Sequence, residues 1–544
     1  MPGDPAWPSL SQWDSFNAKV DGRLIKTVPI GSPCHYPVYN STECAIVRDR
    51  WHNTGFHEAS SSSVMDALFA NQSCDPFTKP DEPCVIGTYV QYAVNVSKPN
   101  HVIDAVAFVK KHNIRFVVRN TGHDYMGKST GAGALSIWMH HLQTREWTDH
   151  FSSSVYTGPA VKAYAGVTGE MLHADAGERG YAIVAGKCPT VGFAGGYIQG
   201  GGHSVLSSTY GLAADQALQF EVITTTGKFV RASATENEDL FWALSGGGGG
   251  TYGIVWSVTV KAHADMHVTL AQLSFQSTDV PYDTFWEAIT TYQLNVPAYT
   301  DAGATALTFY NKTFFQVQTF YAPNQTEKEV QLLLEPFTNK LNSLGINFTS
   351  LITSYPNVRS ADLADASAYG EILVSTDQFT SRLFPRSLYQ SSRSIQDMLR
   401  VVRNIIDDGA VITEIAIRPT LSVAGHPDNA VLPAWRENER LITAMLPWDD
   451  HAPIKEMLVL SRKLTQVYGK AMHRLTPGSG TYLNEADPFE PDWQRSFYGK
   501  NYNRLLAIKD KWDPDQLLYG RTAVGGDRWI SQSDGRLCQS QREL

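Results

Sequence analysis

Residues 186–204 read GKCPTVGFAGGYIQGGGHS, and seven of the first seventeen positions are glycine. Bare backbone of this density lets N–H groups come close to a bulky ligand, above all one carrying phosphates or a planar polar ring. A flexible linker would be polar throughout. This run instead interleaves Val191, Phe193, Tyr197 and Ile198, side chains that favour burial. It predicts a buried, ligand-facing backbone with one thiol, Cys188, at its entrance.

The 544 residues suffice for two or more domains, and 42% apolar with 18% charged residues describes an ordinary globular chain. No window of eighteen or more uninterrupted apolar residues occurs, so no membrane span is expected. A formal net charge of −9 without a basic stripe argues against nucleic acid. Four of the six cysteines form two closely spaced sets, each with nine residues between partners, in loops rich in Pro, Ser, Asn or Asp. Cys34–Cys44 and Cys74–Cys84 are the expected disulfides, other pairings staying open from the sequence alone, with Cys188 and Cys538 left over. Six N-x-S/T sequons, at Asn40, Asn71, Asn95, Asn311, Asn324 and Asn347, fit a secreted, extracellular protein. Met1-Pro2-Gly3 carries no signal-peptide pattern, and the numbering is expected to start at a mature or engineered end. No metal site is expected: there is no C-x-x-C, and the one H-x-x-x-H, His263 with His267, has no third-ligand motif.

Residues 1–80 read as an irregular, Pro/Ser-rich cap with one or two helices, one of them near 61–70. A strand at 85–94, a helix at 101–112 with Val102, Ala105, Val106 and Val109 on one face, and a strand at 115–119 follow. That order is an α/β signal. Further strands are predicted at 135–139, 162–165, 217–224 and 228–232, with helices at 168–180 and 238–245. Between about 265 and 475 glycine thins out. Amphipathic helices (284–294, 327–344, 394–407, 435–445, 454–468) there alternate with strands such as 305–310, 313–321 and 411–418, an α+β layer suited to holding substrate. A short strand at 481–488 and a helix at 498–511 close the chain, and this C-terminal element is expected to return to the first domain.

Four motifs carry a family resemblance: Arg119-Asn120-Thr121-Gly122-His123-Asp124-Tyr125, Gly186-Lys187-Cys188-Pro189-Thr190-Val191-Gly192, Gly200-Gly201-Gly202-His203 and Asn501-Tyr502-Asn503-Arg504-Leu505. In this order they resemble the berberine-bridge-enzyme-like branch of the vanillyl-alcohol-oxidase/p-cresol-methylhydroxylase-type FAD oxidoreductases, from about residue 80 to 530. The N-terminal segment resembles that of secreted fungal isoamyl-alcohol-oxidase-like members. The resemblance implies an α+β fold: a two-subdomain FAD-binding (PCMH-type) domain plus an α+β substrate domain with an antiparallel sheet. The implied division is a cap at 1–80, the FAD-binding domain at 81–264, the substrate domain at 265–477 and a returning segment at 478–544.

The resemblance also implies FAD attached twice, His123 to the 8α-methyl carbon and Cys188 to C6 of the ring. Imidazole and thiolate are nucleophiles suited to such bonds. Asn120, Thr121 and Gly122, with Gly195, Gly196, Gly200, Gly201, Gly202 and His203, are then expected to serve the pyrophosphate and ribityl oxygens. Ser129, Gly211, Leu212, Asp215, Gly253 and Val255 are expected around the adenosine half. Arg119, Asp124, Thr190, Gly192, Ile254, Asn484 and Asn501 complete the expected cofactor contacts. The one G-x-G-x-x-G, Gly248 to Gly253, follows a helix and opens a strand, the reverse of the dinucleotide fingerprint. Val191 matches the family position over the flavin carbon that meets O2, and its small size favours an oxidase.

Oxidation of a hydroxyl needs a base. Tyr482, Glu485 and Tyr125 are the candidates. On a strand, Tyr482 and Asn484 would share one face and Glu485 the other, unless a bulge re-aims it. Sugar-oxidising relatives tend to carry tyrosine where this chain has Glu485. Arg382, Arg386, Arg418, His426 and Trp435 are candidate pocket-shaping residues. The leading expectation is a secreted, monomeric oxidase that turns a primary or benzylic alcohol into an aldehyde while reducing O2 to hydrogen peroxide. An oligosaccharide oxidase, a tailoring oxidase that cyclises or desaturates, and a flavin-bearing protein without efficient turnover are the alternatives.

Overall fold

Pro99 opens a helix, Pro99–His112, where its missing N–H costs nothing, and Asn113 closes it in the left-handed region at φ 49°. Val102, Ala105, Val106 and Val109 of this helix are buried against Phe116, Leu135 and Ile137 of a four-stranded sheet. The sheet runs Leu24–Lys26, Tyr92–Asn95, Leu135–Trp138, Phe116–Arg119; the last three strands are parallel and the first is antiparallel to its neighbour. The computed structural model describes residues 1–278, 280–369 and 373–540.

A second sheet has five antiparallel strands in the order Arg145–Ser152, Thr157–Tyr164, Ile254–Lys261, Ala217–Ile223, Phe229–Ser233. The helix Gly169–Arg179 lies beside it, capped by Thr168 and ended by Gly180 at φ 73°. The third sheet is the largest, with seven antiparallel strands: Phe348–Tyr355, Val268–Gln276, Phe314–Pro323, Thr305–Tyr310, Val411–Ala416, Asn438–Pro447, Asp377–Pro385. Its far face packs on the helices Tyr282–Asp301, Glu327–Ser343 and Ser392–Asp407. Near the C terminus Leu518 forms a parallel bridge with Phe116 of the first sheet. The mixed α+β architecture is as expected. Among the described residues no helix is long and apolar enough to cross a membrane.

Several local expectations need correction. The helix expected at 435–445 is a strand, Asn438–Pro447, after a short turn at Pro433–Glu437. Its charged residues look like a solvent face, but Asn438, Glu439 and Arg440 are fully buried. Arg440 pairs with Glu414 at 3.1 Å, and Tyr310 donates to that carboxylate at 2.8 Å. Buried ionic partners from other strands thus override the helical pattern. Only Ala67–Ala70 of the expected 61–70 helix forms, and the strand expected at 85–94 starts at Tyr92. The N-terminal segment holds four helices rather than one or two. Both expected disulfides are present, Cys34–Cys44 and Cys74–Cys84, and Cys188 and Cys538 are free thiols.

Candidate active site

The strand Phe116–Arg119 delivers the chain into a turn anchored from behind. Arg119 is buried, and its guanidinium donates to the carbonyls of Ser63 at 2.6 Å and Ser60 at 3.0 Å. Gly122 follows at φ +83°, with the Arg119 guanidinium where a Cβ would stand, so only glycine fits. Asp124 then accepts from the amides of Met126 at 2.9 Å and Ser129 at 2.7 Å, closing the loop and presenting His123.

The glycine-rich segment meets this loop. Cys188 Sγ lies 3.7 Å from His123 Nδ1, and Thr190 Oγ1 sits 3.2 Å from the same nitrogen and 3.5 Å from the sulfur. Burial opposes charge on His123, but the bonded Cys188 and the nearby Glu485 outweigh it and hold the imidazole above its ordinary pKa. Burial likewise raises the Cys188 thiol, yet His123 and Thr190 bring it below the usual thiol value. The two shifts together favour a thiolate beside an imidazolium, and the thiolate is the reactive form of the cysteine. Lys187 fixes the loop from its other side, ion-paired with buried Asp365 and donating to Thr319 at 2.8 Å.

These residues open onto one cavity of about 490 Å³. Gly195 and Gly196 belong to a π-helical turn, Phe193–Tyr197, that forms part of its wall. A Cβ on either glycine would come no nearer than 3.8 Å to another protein atom, and one on the wall residue Gly250 would meet nothing within 4 Å. The added carbons would occupy the cavity itself. Two buried wall atoms, Asn120 Oδ1 and Gln199 Oε1, have no hydrogen-bond partner among the described residues. A bare-backbone cradle, orphaned polar atoms and a paired imidazole and thiol together fit a large planar cofactor with a polar tail.

The segment expected as a strand at 481–488 is a turn, closed by the Glu485 amide donating to the Tyr482 carbonyl at 3.0 Å. The turn removes the alternation of faces, so Tyr482, Asn484 and Glu485 all reach the cavity. Asn484 Nδ2 donates to Tyr482 Oη at 2.9 Å and to the Gly196 carbonyl at 2.8 Å. Glu485 Oε1 bonds His203 Nε2 at 2.9 Å. Burial lowers the His203 pKa, but Glu485 more than offsets it, so the imidazole stays charged above its usual range. Burial and the Glu485 charge push the Tyr482 phenol far up, which keeps it neutral.

The near face of the seven-stranded sheet forms the remaining wall. Leu307 and Phe309, Thr413 and Ile415, Thr443 and Met445, and Asp377 and Phe379 line it at alternate positions. Register pairs them: Leu307 with Ile415, Phe309 with Thr413, Thr413 with Thr443, and Phe379 with Met445. The Tyr125 ring meets Phe379 edge-on at 5.2 Å, joining the His123 loop to this wall.

Residues 90–233 match the FAD binding domain family, and residues 481–525 match the berberine and berberine-like family. Over 543 residues the chain is 42% identical to an FAD-linked oxidoreductase of Penicillium expansum, spanning 100% of this chain and 95% of that protein. This chain belongs to the berberine-bridge-enzyme-like, vanillyl-alcohol-oxidase-type FAD oxidoreductases. It is also 39% identical over 548 residues to a bifunctional decalin synthase of Penicillium decumbens, spanning 99% and 95% of the two chains. The crystal structure of a VAO-type flavoprotein from Myceliophthora thermophila C1 superposes with a TM-score of 0.95 at 38% identity, covering 99% of each chain.

In this FAD-linked oxidoreductase the expected cofactor residues divide into three groups. Asn120, Thr121, Gly122, His123, Asp124, Ser129, Cys188, Val191, Gly192, Gly195, Gly196, His203, Gly253, Val255 and Asn484 line the cavity, as do Tyr125, Tyr482 and Glu485. Arg119 and Thr190 stand directly behind, bonded to wall residues. Elsewhere, the carbonyls of Gly201 and Gly202 accept from Ala214 and Ala213, and the Gly200 amide donates to Gly196, which packs this triplet away from the wall. Asp215 caps the Leu212 amide at 2.8 Å and holds Arg436 at 2.7 Å, with Gly211 against its carboxylate. Ile254 lies in the core, and Asn501 spans the carbonyls of Ala430 and Val431 at 3.2 Å. Arg382, Arg386 and Arg418 are occupied by Thr476, Asp301 and Glu439, and neither His426 nor buried Trp435 is on the wall. Sequence reading missed Lys128, Gln199, Leu518, Tyr519 and the whole sheet wall. Alternation in 305–310 and 411–416 signalled the sheet, but nothing in it says which face meets a ligand.

Proposed function

We propose that this protein oxidises an alcohol, with FAD bonded to both His123 and Cys188 and O2 as the final electron acceptor. The observation that carries this reading is the Glu485–His203 pair at 2.9 Å on the cavity wall, a carboxylate hydrogen-bonded to an imidazole whose pKa it raises. Bound FAD supplies the hydride acceptor. Glu485 is the base: Oε1 is tied to His203, and Oε2, which has no protein partner among the described residues, takes the hydroxyl proton. Tyr482 stays protonated and would donate to the substrate hydroxyl oxygen, keeping it oriented. The short separation of Cys188 and His123 supports double attachment: the lowered thiol pKa favours the nucleophilic thiolate, and His123 attacks as the neutral imidazole once its proton has passed on. Val191 on the wall leaves room for O2. Two disulfides and the exposed sequon residues Asn40, Asn71, Asn324 and Asn347 support secretion.

A tailoring oxidation is the second reading, favoured by the similarity to the decalin synthase. Peroxide release across a panel of primary and secondary alcohols tests the first. Peroxide from one alcohol class is expected; flavin reduced by no alcohol would refute it.

A further inference from the structure

The sheet wall also speaks to what the substrate is made of. Of its eight lining positions, Leu307, Phe309, Ile415, Met445 and Phe379 are apolar. The Thr413 hydroxyl is committed to the Met445 sulfur at 3.3 Å. Asp377 lies at the exposed end, bonded to Thr376 at 2.8 Å. That leaves the Thr443 hydroxyl, which has no hydrogen-bond partner among the described residues and is flanked by Thr413 and Met445. The amides of Gln316 and Gln318 lie on a neighbouring strand but outside the cavity lining.

Such a wall is badly matched to a sugar. A saccharide presents a hydroxyl on nearly every carbon, and each one pressed against Leu307, Ile415 or Phe309 would lose water without gaining a partner. A hydrocarbon ring gains from the same contact, and Phe309 and Phe379 offer aromatic surfaces to it. We infer that the substrate is a compact apolar ring alcohol carrying one further oxygen away from the reacting carbon, read by the Thr443 hydroxyl. Thr443 is on this account a specificity-determining residue: it rewards one polar atom on a wall that otherwise penalises them. The inference rests on the assignment of this cavity as the alcohol site.

The test uses ligands that bind without turning over. Tertiary alcohols such as 2-phenyl-2-propanol keep the hydroxyl but have no hydrogen on that carbon to lose. Perturbation of the flavin absorption of the oxidised holoenzyme then reports binding of 2-phenyl-2-propanol, its ring-methoxy and ring-acetyl derivatives, glucose, cellobiose and lactose. The ring alcohols are expected to bind and the sugars not. Thr443→Val is expected to weaken the best oxygenated ligand about fivefold to tenfold while leaving the oxygen-free parent unchanged. Leu307→Asn and Ile415→Asn, checked for flavin content, are expected to weaken every ring ligand about tenfold. Sugars binding as tightly as ring alcohols, or either Asn variant binding rings normally, would overturn the inference. Thr443→Val weakening all ring ligands equally, or none, would overturn the role of Thr443. Tight binding of tertiary alcohols whose primary counterparts never reduce the flavin would refute alcohol oxidation yet leave this inference standing.

Discussion

Nε2 of His203 stands 2.9 Å from Oε1 of Glu485, across 282 residues of sequence. One residue comes from the glycine-rich segment and the other from the turn closed by Tyr482 and Glu485. Neither fragment alone contains the pair. The pair therefore forms only when the glycine-rich segment and the 482–485 turn pack against each other.

Glu485→Gln keeps the shape and removes the proton acceptor. Reduction of the flavin by substrate, followed in the absence of O2, is expected to slow by about 10²- to 10⁴-fold with flavin content unchanged. Tyr482→Phe is expected to cost less, because its neutral phenol only orients the hydroxyl. A larger loss in Tyr482→Phe would move the base to the phenol.

His52 gives a pH-dependent tether. Its Nε2 donates to Asp450 in an ion pair at 3.0 Å, and its Nδ1 donates to the carbonyl of the wall residue Val374 at 2.8 Å. The bond to Asp450, chiefly, raises its pKa above the ordinary 6.5. A raised folded value means the stabilisation is fully present below pH 6.5 and lost as pH rises through the folded value. The melting-temperature gap between wild type and His52→Asn is expected to be widest below pH 6.5 and to close in mildly alkaline buffer. A gap that widens with pH would contradict this.

Arg440 and Glu414, 3.1 Å apart and both fully buried, predict a stability effect remote from the chemistry. Arg440→Met strands the Glu414 carboxylate and is expected to cost about 3–5 kcal/mol in denaturant unfolding. The double variant Arg440→Met with Glu414→Gln is expected to recover part of that loss. No recovery would mean the arginine acts by packing alone.

What could be read from sequence was whatever is set locally. The helix Pro99–His112 has its own proline start, apolar stripe and asparagine stop, and the turn Asn120–Tyr125 its own glycine. What could not was whatever is set by distant partners. Asn438, Glu439 and Arg440 look like a polar helix face until Glu414 and its strand surround them. Strand geometry points Glu485 away from Tyr482 unless the backbone is re-aimed, and one hydrogen bond to the Tyr482 carbonyl turns it. Glycines divide the same way: those at 195 and 196 face the cavity, while Gly201 and Gly202 bond Ala214 and Ala213 and Gly200 bonds Gly196, and composition alone cannot separate them.

The central claim is that His123 and Cys188, 3.7 Å apart, each hold the flavin covalently. Acid precipitation of the purified protein followed by proteolysis and mass spectrometry tests it most directly. Wild type is predicted to keep its colour in the pellet and to yield flavin joined to both the His123 and Cys188 peptides, Cys188→Ala flavin on the His123 peptide alone. Release of free FAD from the wild-type pellet would contradict the account.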